Sequence, residues 1–448
     1  MKDLTTGKEG KLILQFALPM LAGNVFQQLY NVVDSIVVGR AIGKEALAAV
    51  GANFPFIFAL ISFVVGIAIG STVVISQFFG AKKMAEVKRT IDTLYIFMFF
   101  AAFFVTAAGI LFARPIFRLI DLPPDVLPQA VQYFRVYALG FIFFFGFQGT
   151  SAIMRGLGDS KTPFYFLGGS TLLNIALDLI FVLVFRWGIR GVAAATVVAQ
   201  GSAFFAIIFY MNRYHSFLDF RPRHMHFDRE IFRKSLKIGL PTGFQQTFVA
   251  FGFMALYRIV NMFGTPTIAA YSIAVRIDSF AAMPAMNFSA ALSTFVGQNI
   301  GAGKMERVHK GLKATLLMSN AVALVISVVA LLFARQLMQV FTKDAGVVEI
   351  GKHYLLIVPL FYMVFATMFS INGVMRGAGD TLVPLFFSII SLWFVRIPAS
   401  YFLSLRFGAI GIWWGIPIAW FVGLLLAFFY YKTGRWKTKA VVRHQKPQ

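Results

Sequence analysis

The chain contains no cysteine, which excludes disulfide staples, thiol chemistry and cysteine-ligated metals. Acidic residues are scarce too: 18 Asp and Glu against 41 Lys and Arg, with 13% of residues charged in total. A soluble domain carries about a quarter charged residues, so an ordinary water-facing surface is excluded. No histidine sits inside an apolar run; His353, at an expected helix start, comes nearest. That leaves no histidine proton relay. There is no Walker loop, no zinc-spaced ligand set and no nucleophile elbow. The chain therefore reads as no enzyme, with no cofactor and no catalytic residues. Met1–Lys11 lacks a signal-peptide pattern.

What is present is apolar. Hydrophobic residues make up 58% of the chain and Phe alone numbers 53, with a mean hydropathy of +0.75. One aqueous core could not hide so much apolar surface, whereas lipid accepts it directly. Runs of the roughly 20 apolar residues that a bilayer span needs recur along the chain, giving twelve expected helices. These are Leu12–Val38, Leu47–Ser76, Thr90–Ala113, Ala130–Met154, Pro163–Phe185, Gly191–Met211, Ser235–Phe263, Thr267–Gln298, Leu312–Ala334, Ile350–Met375, Leu382–Leu405 and Ile410–Tyr431.

The net charge of +23 would hint at nucleic acid on a soluble face. Here no soluble domain exists to carry such a face, and the positive-inside rule accounts for the excess. Lys82, Lys83, Lys88 and Arg89 crowd one loop, and Lys304, Arg307, Lys310 and Lys313 another. The same holds for the segment 213–234 and the tail 432–448, while the alternate loops hold few cations. The pattern places both termini in the cytoplasm and the protein in the cytoplasmic (inner) membrane, with no nucleic-acid partner. The tail reads as a disordered basic strip near anionic headgroups.

The chain is internally duplicated. Met154-Arg155-Gly156-Leu157-Gly158-Asp159 recurs as Met375-Arg376-Gly377-Ala378-Gly379-Asp380, an offset of 221 that Pro163 and Pro384, and Gln77 and Gln298, also keep. Gly188 and Gly191 reappear at 408 and 411. The expected organisation is an all-α integral membrane protein of two six-helix lobes, 1–212 and 235–431. A cytoplasmic basic linker, 213–234, joins them, and the basic tail follows. Because six is even, both units enter the membrane in the same sense, as a parallel pseudo-two-fold repeat. Asp159 and Asp380 are expected to cap helices or pair with the preceding Arg.

Three acids fall deep in apolar runs: Asp34, Asp178 and Asp278. Each costs roughly 2.5–3.5 kcal/mol at a bilayer centre on insertion scales, which makes it a functional candidate. Asn24, Gln27, Asn31 and Asp34 step along one face of the first span, which also carries Gln28, Tyr30 and Ser35. A plain hydrogen-bonded helix seam would need the amides and hydroxyls but not the acid. Asp178 lies one turn after Asn174, and Thr196 on the next span could add a hydroxyl. Paired carboxylates here could exchange protons, or with the amide and hydroxyl oxygens hold Na⁺. Asp278 has cationic company in Arg276, Arg258 and Arg396, the pattern of a structural charge network. Soft or amide side chains suit a promiscuous cavity, for which Gln27, Asn31, Met154, Gln245, Met283 and Met286 are the candidates.

With Phe16-Ala17-Leu18-Pro19, its second-half counterpart Ile238-Gly239-Leu240-Pro241 and the paired Met-Arg-Gly-x-Gly-Asp loops, the sequence resembles the multidrug and toxic compound extrusion (MATE) family along essentially its whole length. The DNA-damage-inducible F-like branch is the more similar, through Tyr30, Asp34, Asn174, Asp178 and Thr196. The resemblance implies a V-shaped, two-lobed exporter of small amphipathic, often cationic drugs, coupled to H⁺ or Na⁺. It also implies that protonation of Asp34 bends the first span and closes the first-lobe cavity. The norfloxacin-exporter-like branch carries carboxylates on spans seven and ten. This chain instead has Gln245, Gln246, Arg258 and Asn372 there, which favours H⁺ coupling in the first lobe. The alternative is a flippase of lipid-linked oligosaccharide or lipid on the same two-lobe plan, whose cationic cavity would draw on Arg258, Arg276 and Arg396. Two lobes in one chain make a monomer sufficient.

Overall fold

The structure, a computed structural model, describes residues 2–119, 122–214 and 220–442. It is helical throughout, with no strand among the described residues. In chain order the first half holds α1 (Glu9–Ala41), α2 (Lys44–Gly80), α3 (Met84–Leu119), α4 (Leu127–Leu139), α5 (Phe141–Gly156), α6 (Lys161–Leu179) and α7 (Ile189–Tyr214). The second half holds α8 (Arg229–Asn261), α9 (Thr265–Gly301), α10 (Met305–Leu332), the short α11 (Ala334–Gln339), α12 (Ala345–Ile357), α13 (Tyr362–Gly377), α14 (Leu382–Ile389), α15 (Ile397–Phe407) and α16 (Ala409–Thr433).

Three of the twelve expected spans are each built from two helices. α4 and α5 meet at Gly140 with a bend of 50°. α12 and α13 are joined by a 3₁₀ turn over Val358–Phe361, where Pro359 has no N–H to continue the α ladder. α14 and α15 are joined by a π-helical stretch, Ile390–Arg396. Among the described residues, 9 helical segments are long and apolar enough to cross a bilayer, or 10 with the bent pair counted as one span. The other two long helices, α8 and α9, do not lack length, at 33 and 37 residues. They lack apolarity: α8 carries Lys237, Gln245, Gln246 and Arg258, and α9 carries Arg276, Asp278, Asn287 and Gln298.

The helices cluster into two compact units. Unit 1 comprises residues 1–2, 18–79 and 83–243, and unit 2 comprises 3–17, 80–82 and 244–448. The division at Gly243 lies beyond the boundaries 212 and 235 expected from sequence. The expected linker 213–234 is already helical from Arg229, because Asp228 accepts from the amides of Glu230 and Ile231 at 3.0 Å each and so starts α8.

Unit 1 has an aromatic interior in which Phe134, Phe141 and Phe145 are fully buried. Phe141 stacks on Phe145 at 5.7 Å, and Phe56 lies 4.7 Å from Phe134. In unit 2, Tyr271 stacks on Trp413 at 5.6 Å and Tyr354 meets the same indole edge-on at 5.3 Å. Large apolar side chains elsewhere stand exposed, among them Phe103, Phe104, Phe209, Leu317 and Phe402. On a membrane protein such a surface faces lipid tails.

The repeated hexapeptide folds alike in both places. Asp159 N–H donates to the Met154 carbonyl at 2.8 Å and Asp380 N–H to the Met375 carbonyl at 2.9 Å. Gly158 and Gly379 sit at φ +83° and +92°, where a side chain would be strained. Only the first Asp caps its helix: Asp159 accepts from the amides of Lys161 and Thr162, whereas Asp380 accepts from the Tyr430 hydroxyl at 2.6 Å.

Both ends of unit 2 are tied down. Leu4 is buried, its N–H donates to Gln298 Oε1 at 2.9 Å, and Asn299 Nδ2 donates to its carbonyl at 3.2 Å. Arg307 secures the next turn, donating to Gly7 O at 2.8 Å and pairing with Glu9 at 3.0 Å. The tail departs from the disordered strip expected of it. After α16, Gly434 turns the chain left-handed at φ +70°, and the indole of Trp436 is buried, stacked on Tyr431 at 5.4 Å with His309 beside it. Arg443 and Lys446 lie outside the described residues.

The glycines repeated at 191 and 411 differ in how tightly they are packed. A Cβ on Gly411 would meet the backbone of Leu403 at 2.3 Å, whereas one on Gly191 would meet nothing nearer than 3.1 Å. Gly411→Val should therefore lower the melting temperature of the purified protein clearly, by an overpacking cost of about 1–3 kcal/mol or more, and Gly191→Ala should lower it much less. Equal melting of the two variants in detergent would contradict this packing.

Candidate functional site

Within unit 1 three helices converge on the residues singled out in sequence. α1 supplies Tyr30 and Asp34, α6 supplies Asn174 and Asp178, and α7 supplies Thr196. Spacings of four residues put each pair on one helix face. The Tyr30 hydroxyl lies 3.0 Å from Thr196 Oγ1. With its amide oriented to satisfy both neighbours, Asn174 donates to Asp178 Oδ2 at 3.3 Å and accepts from the Thr196 N–H at 3.1 Å. Asp34, Asp178, Asn174 and Thr196 are all buried. The five residues thus form one constellation.

Its chemistry is anionic. Oδ1 of Asp34 and Oδ1 of Asp178 are each buried without a hydrogen-bond partner, and the two carboxylates act electrostatically on one another. Among the described residues neither forms an ion pair. A buried charge without a cation is costly, and two that repel are more so. Binding one proton, or one monovalent cation shared by the oxygens, would relieve both costs.

Two tyrosines missed in sequence complete the walls. The Asp34 and Asp178 charges act on the phenol of Tyr133, and the Asp34 charge on that of Tyr137. The two rings stack at 5.8 Å on α4, with Gln200 of α7 beside Tyr137. Their four-residue spacing was the available signal, but α4 reads as an ordinary amphipathic turn beside so many aromatics. Asp178 is followed within two residues by a π-helical stretch, Ile180–Val184, a distortion common at functional positions.

The substrate-cavity candidates divide. Gln27, Asn31 and Met286 are exposed and Met283 is half-buried. Met154 is fully buried in the packing of α5 and is not placed to line a cavity. Gln245 is also buried and already engaged, donating to Ser388 Oγ and accepting from Arg376 Nη2 at 3.0 Å.

The expected network of Asp278 with three arginines is likewise reduced. Arg258 and Arg276 are exposed, and only Arg396, buried and 5.3 Å above the Phe253 ring, has a charge that reaches Asp278. The carboxylate is held by the Tyr354 hydroxyl, which donates to Oδ2 at 3.2 Å.

The MatE family model matches residues 19–180 and 241–402, two segments of equal length, one in each half. Over 436 residues the chain is 31% identical to the probable multidrug resistance protein YpnP of Bacillus subtilis, with 97% of each chain covered. It is 32% identical over 437 residues to the probable multidrug resistance protein YoeA of the same organism, covering 96% of this chain and 94% of that one. Among solved structures, a MATE in the bent conformation superimposes with a TM-score of 0.91 at 23% identity, covering 98% of each chain.

Because neither Asp34 nor Asp178 has a cation to lose, Asp34→Asn and Asp178→Asn should fold in normal yield and melt no lower than wild type. A marked fall in melting temperature for either variant would reveal a stabilising partner that the geometry does not contain.

Proposed function

The chain belongs to the MatE family, whose members are membrane transporters and not enzymes, and on that premise we propose that it is a drug/H⁺ antiporter of the cytoplasmic membrane with both termini in the cytoplasm. Its substrates are small amphipathic, often cationic compounds, taken from or through the bilayer, and the monomer is the working unit. The multidrug-resistance names of YpnP and YoeA support the substrate class.

The observation that carries the coupling ion is the pair of buried carboxylates, Asp34 and Asp178, with unpartnered oxygens and no cation. Outward-facing protein takes up a proton at Asp34, which shares its surroundings with Asp178 through Asn174, Tyr30 and Thr196. Neutralising the cluster removes the repulsion between the two acids and lets α1 repack against α6 and α7, which expels substrate. The inward-facing state releases the proton to the cytoplasm. Each elementary charge moved through 100 mV supplies about 2.3 kcal/mol. Sodium held by Asp34, Asn174, Asp178 and Thr196 is the variant of this reading, and the oxygen donors present have the right chemistry for it.

The flippase reading has less support. It needs clustered cations, and the one buried arginine of the three, Arg396, shares its surroundings with an acid.

Dye efflux from proteoliposomes under an imposed pH gradient, without Na⁺, tests the proposal. Wild-type protein should transport, and Asp34→Asn should lose about tenfold or more of the gradient-driven rate, the loss of an interaction the cycle requires. Full proton-driven efflux by Asp34→Asn would overturn the role of the cluster. Transport that appears only with Na⁺ would move the coupling to sodium, and no transport under either gradient would favour the flippase.

A further inference from the structure

Unit 2 contains a second group of buried polar atoms that the first-half cluster does not use. A cavity of about 30 Å³ is lined by Asp278, Ser319, Tyr362, Phe365 and Trp420, among others, which is room for roughly one or two waters. Oδ1 of Asp278 is buried without a hydrogen-bond partner, and so are the Tyr362 and Tyr271 hydroxyls, Trp413 Nε1 and Arg396 Nε. Native interiors leave few such atoms unsatisfied, and each demands water, an ion or a functional reason. Four in this group besides the carboxylate's own oxygen are more than packing accounts for.

We propose that Asp278 is a second proton-exchange site, hydrated through this cavity, with Tyr354 and Tyr362 cradling the carboxylate and Arg396 as its counter-charge. The surrounding elements define what acts on it. α12 contributes Tyr354, whose hydroxyl donates to Oδ2. α13 begins with Tyr362, whose hydroxyl approaches the same carboxylate without a well-formed hydrogen bond. The π stretch ends in Arg396, close enough to act on Asp278 but not within an ion-pair distance of it. α10 offers Ser319, bonded to Ser370 at 3.3 Å, and α16 offers Trp413 and Trp420. The α9 neighbour Arg276 is exposed, and Arg335 of α11 acts on Glu349 instead.

Arg396 beside Asp278 argues against a bound metal cation, which it would repel, and in favour of a proton, which neutralises the acid without displacing the guanidinium. Separation of the two charges leaves space for bridging water, the medium a proton needs to reach Oδ1. When the acid is neutralised Arg396 loses that counter-charge while keeping its place over the Phe253 ring, so the π stretch and α16 around it have two electrostatic states. The position 221 residues earlier is Ile57, so the duplication carries no copy of this site in the first half. The inference rests on the H⁺ reading for its role in transport but not for its existence.

Infrared titration of the purified protein in lipid nanodiscs separates the two. In the Asp34→Asn/Asp178→Asn protein, a titrating carboxyl C=O band should remain, should shift in Tyr354→Phe, which removes the hydrogen bond to Oδ2, and should vanish in Asp278→Asn. Arg396→Gln should move its midpoint. In proteoliposomes that transport, Asp278→Asn should move one proton fewer per substrate. Absence of any band sensitive to Tyr354→Phe overturns the proposal, whatever the transport assay shows. So does loss of fold in Asp278→Asn that is restored by adding Arg396→Gln, the signature of a purely structural pair.

Discussion

The central constraint in the first half is the burial of two carboxylates, Asp34 and Asp178, with no ion pair to either among the described residues. Apolar helices supply the burial, and the scarcity of internal arginines in the first half withholds the usual remedy. Asp178 is left with a hydrogen bond from the neutral Asn174 amide, which orients a carboxylate but compensates its charge only in part, and Oδ1 of Asp34 is buried without a partner. Under the proposed H⁺ coupling, the difference in cost between the protonated and ionised forms of these two side chains is what would respond to proton concentration.

The duplicated architecture supports this at one remove. The two hexapeptide loops repeat each other to within a tenth of an ångström in their closing hydrogen bonds, yet the polar interiors of the halves have diverged. One holds the pair Asp34 and Asp178, with no ion pair to either among the described residues; the other holds Asp278 within reach of Arg396 and a group of aromatic hydroxyls and indoles. Loops must turn the chain in either half and so conserve geometry. Interiors are free to differ once the apolar shell is complete. The same divergence shows in the loop acids, where Asp159 caps a helix and Asp380 accepts from Tyr430.

Much of the fold was legible because lipid imposes long apolar runs, and the expected spans differ from the observed helices chiefly at their ends. The first-half cluster was legible for a related reason: in an apolar helix a polar residue stands out, and a four-residue step between Tyr30 and Asp34, or Asn174 and Asp178, shows which face it occupies. Tyr133 and Tyr137 were not, since tyrosine is unremarkable in a chain this aromatic and its proximity to Asp34 is a tertiary fact. Arg258 and Arg276 misled because charge alone does not reveal whether a side chain points inward; on α8 and α9 both are exposed. The tail misled for the opposite reason, since a run of basic residues conceals the single Trp436 that anchors it.

The π-helical turn that follows Asp178 has a bearing on how such a carboxylate could change its surroundings. A π turn holds one residue more than an α turn, and each residue advances a helix by about 100°. Shifting that surplus residue along α6 by a few positions rotates the segment it passes while the helix ends stay where they are. The backbone hydrogen bonds are exchanged one at a time and none need be left open to lipid. A membrane helix otherwise has few ways to present a different face without breaking its ladder, and here the means lies within two residues of the acid.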